Sequence, residues 1–461
     1  MLPSNALQEF ARIVGPEHVL TSPEDLVAYS CDGTFVEQRP DAVVSPLNTE
    51  QVSRVMQVCD REGIPVVARG MGSGLAGGAV PVPDGISLCL TRMNRVLNLD
   101  TENMMVRVEA GIVTADLQAQ VEAAGLFYPP DPSSIKHSTI GGNVACNAGG
   151  PRCLKYGVTR DYVMGLTVVL SDGRVLQTGG KAIKNVTGYD LKNLFVGSEG
   201  TLGIVTEVLL KLIPKPEFAR TAMAIYPLLE NASVTVNNVL RAGVLPATME
   251  LMDNTTLGTI EEYLHLGLPT DAAAILIIEV DGGDEETVTK EIETIDRVCR
   301  ASGASAVRVA KTEEERNDLW RGRRSVFPSL ARRGPDQLTE DISLPRAAVP
   351  EAIRRIKAIG EKYGLPICVF GHAGDGNLHP SILHDKRDSE QTRRAEQASR
   401  DIFGIAVELG GTLSGEHGVG VLKLPFLGLA ESPLEIELMQ AIKRVFDPKG
   451  ILNPGKKFPA A

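Results

Sequence analysis

The sequence predicts an α+β protein of at least two domains, and three observations carry that prediction. The chain has 461 residues, more than one hydrophobic core ordinarily serves. Its first half alternates helical and strand patterns, and its second half repeats the alternation with a different texture. Between them stands Pro214-Lys215-Pro216, where proline fixes its own φ and restrains the residue before it.

Thr49 to Asp60 places apolar residues at helical spacing, and Ile64 to Ala68 reads as a short buried strand. A glycine-rich loop follows from Gly70 to Gly78. Val106 to Ala110 alternates as a strand, Thr114 to Ala124 reads as a helix, and Val163 to Leu170 is a strand ended by the turn Ser171-Asp172-Gly173-Arg174. Leu202 to Leu212 is a strand running into the proline break. Beyond it, Ala273 to Val280 is a strand, Asp284 to Ala301 and Pro350 to Tyr363 are helices, and Ile367 to Phe370 is a strand. Units of this kind build a compact sheet domain. A last helix begins near Ser432 and ends at Phe446-Asp447-Pro448-Lys449-Gly450.

Composition excludes several classes. A hydrophobic content of 43% supports real cores, and the 23% of charged residues is ordinary for a globular protein. The net charge of -11 argues against nucleic acid as a partner, since phosphate binding favours a basic face. A small anionic substrate stays open, because it responds to local charge. The start of the chain lacks a basic stretch followed by an apolar one, so no signal peptide is expected. No run approaches the ~18 apolar residues of a membrane helix. The seven cysteines are scattered, with no C-x-x-C pair, which argues against a disulfide framework, a cysteine zinc site or an iron–sulfur cluster. A reduced, cytoplasmic setting is expected.

Gly72-Ser73-Gly74-Leu75-Ala76-Gly77 is a literal G-x-G-x-x-G after a strand. A dinucleotide-binding unit would need this loop to open a helix. The next residues, through Pro81 and Pro83, cannot begin one. The remaining reading is a phosphate loop of backbone N–H groups, with Arg69 supplying a charge beside it.

Several strings then coincide in order: Arg69-Gly70-Met71-Gly72-Ser73-Gly74; Pro129-Pro130-Asp131-Pro132-Ser133-Ser134; Thr139 to Gly150, with Gly141, Gly142, Asn143, Asn147 and Gly149; Lys155-Tyr156-Gly157; Asn185 to Leu191; and Gly197 to Ile204, with Glu199, Gly200 and Gly203. They are followed by Phe370 to His379, Gly415-Glu416-His417-Gly418 and Asp447 to Lys456, with Asn453. Together they resemble the FAD-linked D-2-hydroxy-acid dehydrogenases of the vanillyl-alcohol-oxidase type, over roughly residues 20 to 457. That branch holds the flavin-binding D chain of glycolate oxidase, D-lactate dehydrogenase and D-2-hydroxyglutarate dehydrogenase. The resemblance implies a two-part, PCMH-type FAD-binding domain over residues 1–217. It further implies an antiparallel, ferredoxin-like substrate (cap) domain over 218–413 and a segment, 414–461, that completes the site. FAD has two phosphates and a flat ring, which close glycine contacts suit. Ile204 is expected to meet adenine through its backbone. His137 raises the question of a covalent flavin, but it lies outside the pyrophosphate loop, and the branch binds FAD non-covalently.

The resemblance also implies a divalent metal on His372, His379 and Glu416. Two imidazoles and a carboxylate leave open positions for substrate. They do not separate zinc from manganese or iron. Asp375 reads as a turn former. His417, next to Glu416, is expected in the same cavity as the base that takes the substrate's hydroxyl proton. Arg323 stands where similar enzymes bind the substrate carboxylate, with Arg321 and Arg324 as competitors. Thr339 occupies a place where hydroxyglutarate enzymes carry lysine, which favours glycolate or D-lactate over D-2-hydroxyglutarate. A non-catalytic FAD-binding subunit and a flavin-free metal hydrolase are the other readings. Electrons are expected to leave to separate flavin and iron–sulfur subunits or another acceptor. A homodimer and attachment at the inner membrane face both stay open.

Overall fold

The structure, a computed structural model, describes residues 2–34 and 36–459. It divides into two compact units. The first comprises Met1–Gly149, Val158–Lys215 and Glu416–Ala461; the second comprises Gly150–Gly157 and Pro216–Gly415. The excursion of 150–157 into the second unit has no counterpart in the sequence reading.

The first unit holds two main sheets. One has the strand order Val19–Leu20, Ala42–Val44, Ile86–Cys89, Val66–Arg69. The helix Thr49–Glu62 joins two of these strands, and both run parallel to Ile86–Cys89. That helix forms for legible reasons. Asn48 caps it by accepting from the Gln51 amide at 2.9 Å, and Gly63 closes it at φ 68°. It buries Val52, Val55, Met56 and Cys59 on one stripe, each such side chain contributing roughly 1.5–3 kcal/mol.

The glycine loop leads from Arg69 into the strand Ile86–Cys89 without an intervening helix, as Pro81 and Pro83 require. The pairing around the loop is nevertheless largely parallel, which no pattern in the sequence discloses.

The other sheet is wholly antiparallel, ordered Val96–Asp100, Met105–Glu109, Ile204–Lys211, Val163–Val169, Val175–Gly179. Val106, Val108, Leu166, Val168 and Val208 pack with Leu117, Val121, Ile140 and Val144 of the neighbouring helices.

The C-terminal part of this unit is tied to the first sheet. Ser432 and Glu435 form a capping box that starts the helix Pro433–Phe446. Asp447 then accepts from the amides of Ile451 and Leu452 at 3.1 and 2.7 Å. The chain finally lies parallel to the first sheet's edge, where Val66 N donates to Ile451 O and Asn453 N to Val66 O, each at 2.8 Å.

The second unit is built on one antiparallel sheet. Its order is Ala306–Val309, Phe218–Tyr226, Ala274–Gly282, Thr248–Asp253, Ile367–His372, Asn377–His384, Asp336–Thr339, with Ile342–Ser343 also on Asn377–His384. The first four strands, in chain order 4-1-3-2 with helices Leu229–Arg241 and Glu285–Ala301, are a ferredoxin-like arrangement. On one face Met223, Met252, Ile275, Ile277, Cys368 and Phe370 pack against Leu257, Ile260, Trp320 and Val326 of covering helices. Toward one end of that same face the apolar residues give way to His372, His379 and Glu250.

Candidate active site

In the first unit the glycine stretches meet. A β-carbon on Gly70 would lie 2.3 Å from Thr139 Oγ1, and one on Gly72, whose φ is 70°, would lie 2.1 Å from the Arg69 guanidinium. The backbone at these two glycines therefore approaches neighbouring side chains more closely than a β-carbon would allow. Arg69 is buried, and it braces the loop by donating from Nη1 to Cys31 O at 2.7 Å.

The C-terminal stretch reaches the same loop. Asn453 Nδ2 donates to Gly78 O at 3.1 Å and to Glu199 O at 2.7 Å. Those two carbonyls fix the amide's orientation, and its Oδ1 is left buried with no partner among the described residues. A buried acceptor without a donor costs free energy unless a ligand or water supplies one. Lys456 Nζ donates to Gly78 O at 2.9 Å and also to Val80 O. Burial draws its pKa down to about 7, against the upward pull of Asp32 and Glu199. The loop, the close glycines and the unsatisfied Asn453 oxygen fit a bound FAD.

Other expected cofactor residues are placed more plainly. Met71 is exposed, while Ser73, Gly74 and Ser134 are partly so. Pro130 accepts from Gln118 Nε2 at 3.0 Å through its carbonyl, and Asp131 is buried nearby in sequence. Asn143 is buried and donates to Thr114 Oγ1 at 2.8 Å, and Asn147 takes a φ of 53° and accepts from Arg160 N at 2.9 Å. Thr139 Oγ1 accepts from Gly142 N at 3.3 Å, and a β-carbon on Gly200, whose φ is 71°, would meet Asn453 Nδ2 at 3.9 Å. Gly141 and Gly203 face the protein itself: added β-carbons would strike Ala110 at 2.7 Å and Val168 at 2.5 Å. Ile204 pairs with Val169 and packs into the core. Gly149 ends the first unit's leading segment, whereas Gly150, Tyr156 and Gly157 belong to the second unit. There Tyr156 donates its hydroxyl to Asp281 at 2.8 Å.

Glu199 is held within the protein. Its amide donates to Ala145 O at 2.8 Å, and its carboxylate accepts from Val419 N at 2.9 Å, Gly420 N at 2.7 Å and Lys457 Nζ at 3.1 Å. It organises the chain around the site. His137 is exposed.

In the second unit the histidines sit on paired strands. Phe370 is opposite His379 and His372 opposite Asn377, so the two imidazoles are diagonal neighbours on one face. Their rings meet edge to face with centroids 5.3 Å apart, and a nitrogen of each lies within 4.8 Å of the other's. The connecting turn depends on glycine, because a β-carbon on Gly376, whose φ is 85°, would strike Leu344 O at 2.1 Å. Asp375 accepts from Asn377 N at 3.2 Å, which is what a turn former does.

The residue that sequence reasoning missed is Glu250. It is fully buried opposite His372; its Oε1 lies 2.6 Å from His372 Nδ1 and its Oε2 accepts from Arg323 Nε at 2.7 Å. Burial alone would raise its pKa, but His372 and Arg323 hold it below the ordinary carboxylate range. A carboxylate on Nδ1 aims the other ring nitrogen, the usual support of a metal-binding histidine. A glutamate between hydrophobic residues in Thr248–Asp253 gives little signal in sequence, since only strand pairing sets it beside His372.

Of the three arginines, Arg321 and Arg324 are exposed, whereas Arg323 is buried with its guanidinium 5.3 Å from the Phe370 ring centre. The bond to Glu250 uses Nε, one of five donors. Thr339 is partly buried, 2.8 Å from Ser381 through the two hydroxyls. Glu416 and His417 open the C-terminal part of the first unit, with Oε1 and Nε2 3.7 Å apart.

Fold and glycine cradle define a flavoprotein with a two-part FAD-binding unit. Residues 40–179 match the FAD binding domain, and residues 215–457 match the C-terminal domain of FAD linked oxidases. The chain belongs to the FAD-linked oxidase family and is an oxidoreductase. It is 47% identical to the glycolate oxidase subunit GlcD of Bacillus subtilis, over 99% of this chain and 97% of that one. It is 36% identical to D-lactate dehydrogenase of Anaerostipes hadrus, over 96% and 95%. Substrate-bound p-cresol methylhydroxylase shares the fold, with a TM-score of 0.82 at 20% identity over 98% of this chain and 96% of that one. Among the described residues no helix is long and apolar enough to cross a membrane.

Proposed function

We propose that the protein oxidises a small D-2-hydroxy acid, glycolate or D-lactate, to the 2-oxo acid. The observation that carries this is the buried group His372, Glu250 and Arg323, with His379 beside it, on one sheet face of an FAD-linked oxidase. Relatives named for glycolate and D-lactate support the substrate class. The 216–415 unit then acts as the substrate domain.

His372, His379 and Glu416 are the ligands we assign to a divalent metal. The imidazole pair supplies two of them. Glu416 is joined to Gly415, whose amide donates to Asp341 O at 3.2 Å, and Asp341 is on the same unit as the histidines. A bound FAD would supply the acceptor for a hydride from the substrate's C2, and a metal held by His372, His379 and Glu416 would supply a Lewis acid for the hydroxyl. Arg323 holds the carboxylate through its remaining donors, and Phe370 beneath it excludes water. His417 takes the hydroxyl proton, so substrate loses one proton and one hydride. Thr339, paired with Ser381, offers no cation for a second carboxylate, which disfavours D-2-hydroxyglutarate. That relatives are named as subunits supports a partner chain as the electron acceptor, for which we propose a flavin or iron–sulfur protein.

The test is anaerobic reduction of the purified holoprotein by glycolate, D-lactate, L-lactate and D-2-hydroxyglutarate, followed at the flavin bands. Bleaching by glycolate or D-lactate is expected, and failure with all four overturns the reading. His372→Ala is expected to lose bound metal while keeping FAD; unchanged metal content removes the ligand assignment.

A further inference from the structure

We infer that Glu199 and Asp341 are positioning residues that fix the two ends of the short segment carrying Glu416 and His417. The inference deepens, and rests on, the roles proposed above for those two residues.

The leading end is fixed within the second unit. Asp341 is fully buried; its Oδ1 accepts from Asn377 Nδ2 at 2.7 Å and its Oδ2 from Ser414 Oγ at 2.8 Å. Its carbonyl accepts from Gly415 N at 3.2 Å, and the backbones of Asp341 and Ser414 form a parallel bridge. Gly415 admits no side chain, since a β-carbon there would lie 2.3 Å from Asn377 Nδ2.

The trailing end is fixed within the first unit. The buried Glu199 carboxylate accepts from the consecutive amides of Val419 and Gly420. A β-carbon on Gly418, whose φ is 86°, would lie 3.0 Å from that carboxylate, and one on Gly420 would lie 2.0 Å from Ala76 O. Val421 N then donates to Ala76 O at 2.9 Å.

Between Gly415 and Val419 stand only Glu416, His417 and Gly418. Each anchor restricts the residues next to it before substrate arrives: Gly415 held on Asp341 limits Glu416, and the Val419 and Gly420 amides held on Glu199 limit His417 and Gly418. Neither carboxylate needs to touch substrate for this. The glycines at 415, 418 and 420 are explained by the anchors, and the chemistry is left to the two residues between them.

The experiment uses the FAD-loaded full chain. In the parent protein the Val419 and Gly420 amides are expected to exchange slowly with deuterium, and Glu199→Gln is expected to speed that exchange. Asp341→Asn is expected to speed exchange at Gly415. Each variant is expected to keep its flavin spectrum and a KM within about twofold while kcat falls on the order of 10- to 100-fold. Added to His417→Ala, Glu199→Gln is expected to lower kcat by less than about twofold, because the two act through one group.

Unchanged exchange, or losses that multiply in the His417→Ala background, overturn the inference. If His417→Ala by itself leaves kcat intact, the proposed base fails, and the exchange measurement still decides the anchoring. Should Glu199→Gln not fold, Glu199→Asp, too short to reach both amides, serves the same comparison.

Discussion

In the first unit the functional surface is made where side chains are missing. Gly70 presses on Thr139, Gly72 on Arg69, and the C-terminal Asn453 and Lys456 reach into the loop with donors for its carbonyls. In the second unit the surface is made of side chains, with Glu250, His372, His379 and Arg323 packed on one face of a sheet beside the apolar Met252, Ile277 and Phe370. A glycine cradle tolerates changes in the side chains around it but none in its own backbone. A buried charge group tolerates backbone adjustment but not the loss of a partner, because an unpaired charge is left in a low dielectric.

Glu250→Ala presses that difference hardest. Removing the shared partner of Arg323 and His372 is expected to cost about 3–5 kcal/mol of stability, read as a drop in the urea midpoint. A loss near zero would mean that the two neighbours find other partners, and the second unit would no longer be the one built on side chains.

Lys456 tests the first unit through pH. Its folded pKa, lowered to about 7 by burial, lies below the unfolded value of about 10.4. Between those values the unfolded chain binds more protons, so stability rises with pH there. The contribution is complete above the unfolded value and is lost as pH falls through about 7. The slope from this group is at most roughly 1.4 kcal/mol per pH unit. Lys456→Met is expected to remove it, so the stability of the parent relative to the variant should rise from pH 7 to pH 9. A constant difference would show an ordinarily titrating lysine.

Arg323→Lys keeps a charge but cannot hold Glu250 and grip a carboxylate in two prongs. A KM raised roughly tenfold, about 1.4 kcal/mol, is expected with little change in FAD content. An unchanged KM would move the clamp to another residue.

The smallest effect belongs to the tail. Ser432→Ala removes the cap of Pro433–Phe446 and should cost about 1 kcal/mol, measured by thermal or urea unfolding. Flavin content should hold, since the Asp447 turn keeps Leu452 on the edge of Val66.

Much of this was legible. The helices at 49–62, 285–301 and 349–363 carry periodic apolar stripes and end residues that announce them. Their signal is local, and so it survives in a single sequence. The strand Asn377–His384 was not legible, since Pro380 in its middle argues against a strand. It is tolerated where the Pro380 carbonyl accepts from Glu340 N at 2.9 Å. The helix Ser389–Glu408 was passed over because its first half is polar and its buried residues gather toward the other end.

By itself the sequence determined the glycine loops, the absence of a helix after Gly78, and the histidine, arginine and glutamate motifs with their order. Each depends on residue type or near-neighbour spacing, which the chain carries openly. Only the tertiary structure decided that Glu250 joins His372 to Arg323 across 122 and 73 residues. It alone turned Arg69 inward, left Arg323 the buried one of three, and gave the Glu199 carboxylate to Val419 and Gly420. Those choices come from strand register and burial, where a hydrogen bond between residues far apart in the chain is fixed by what else must leave water at the same time.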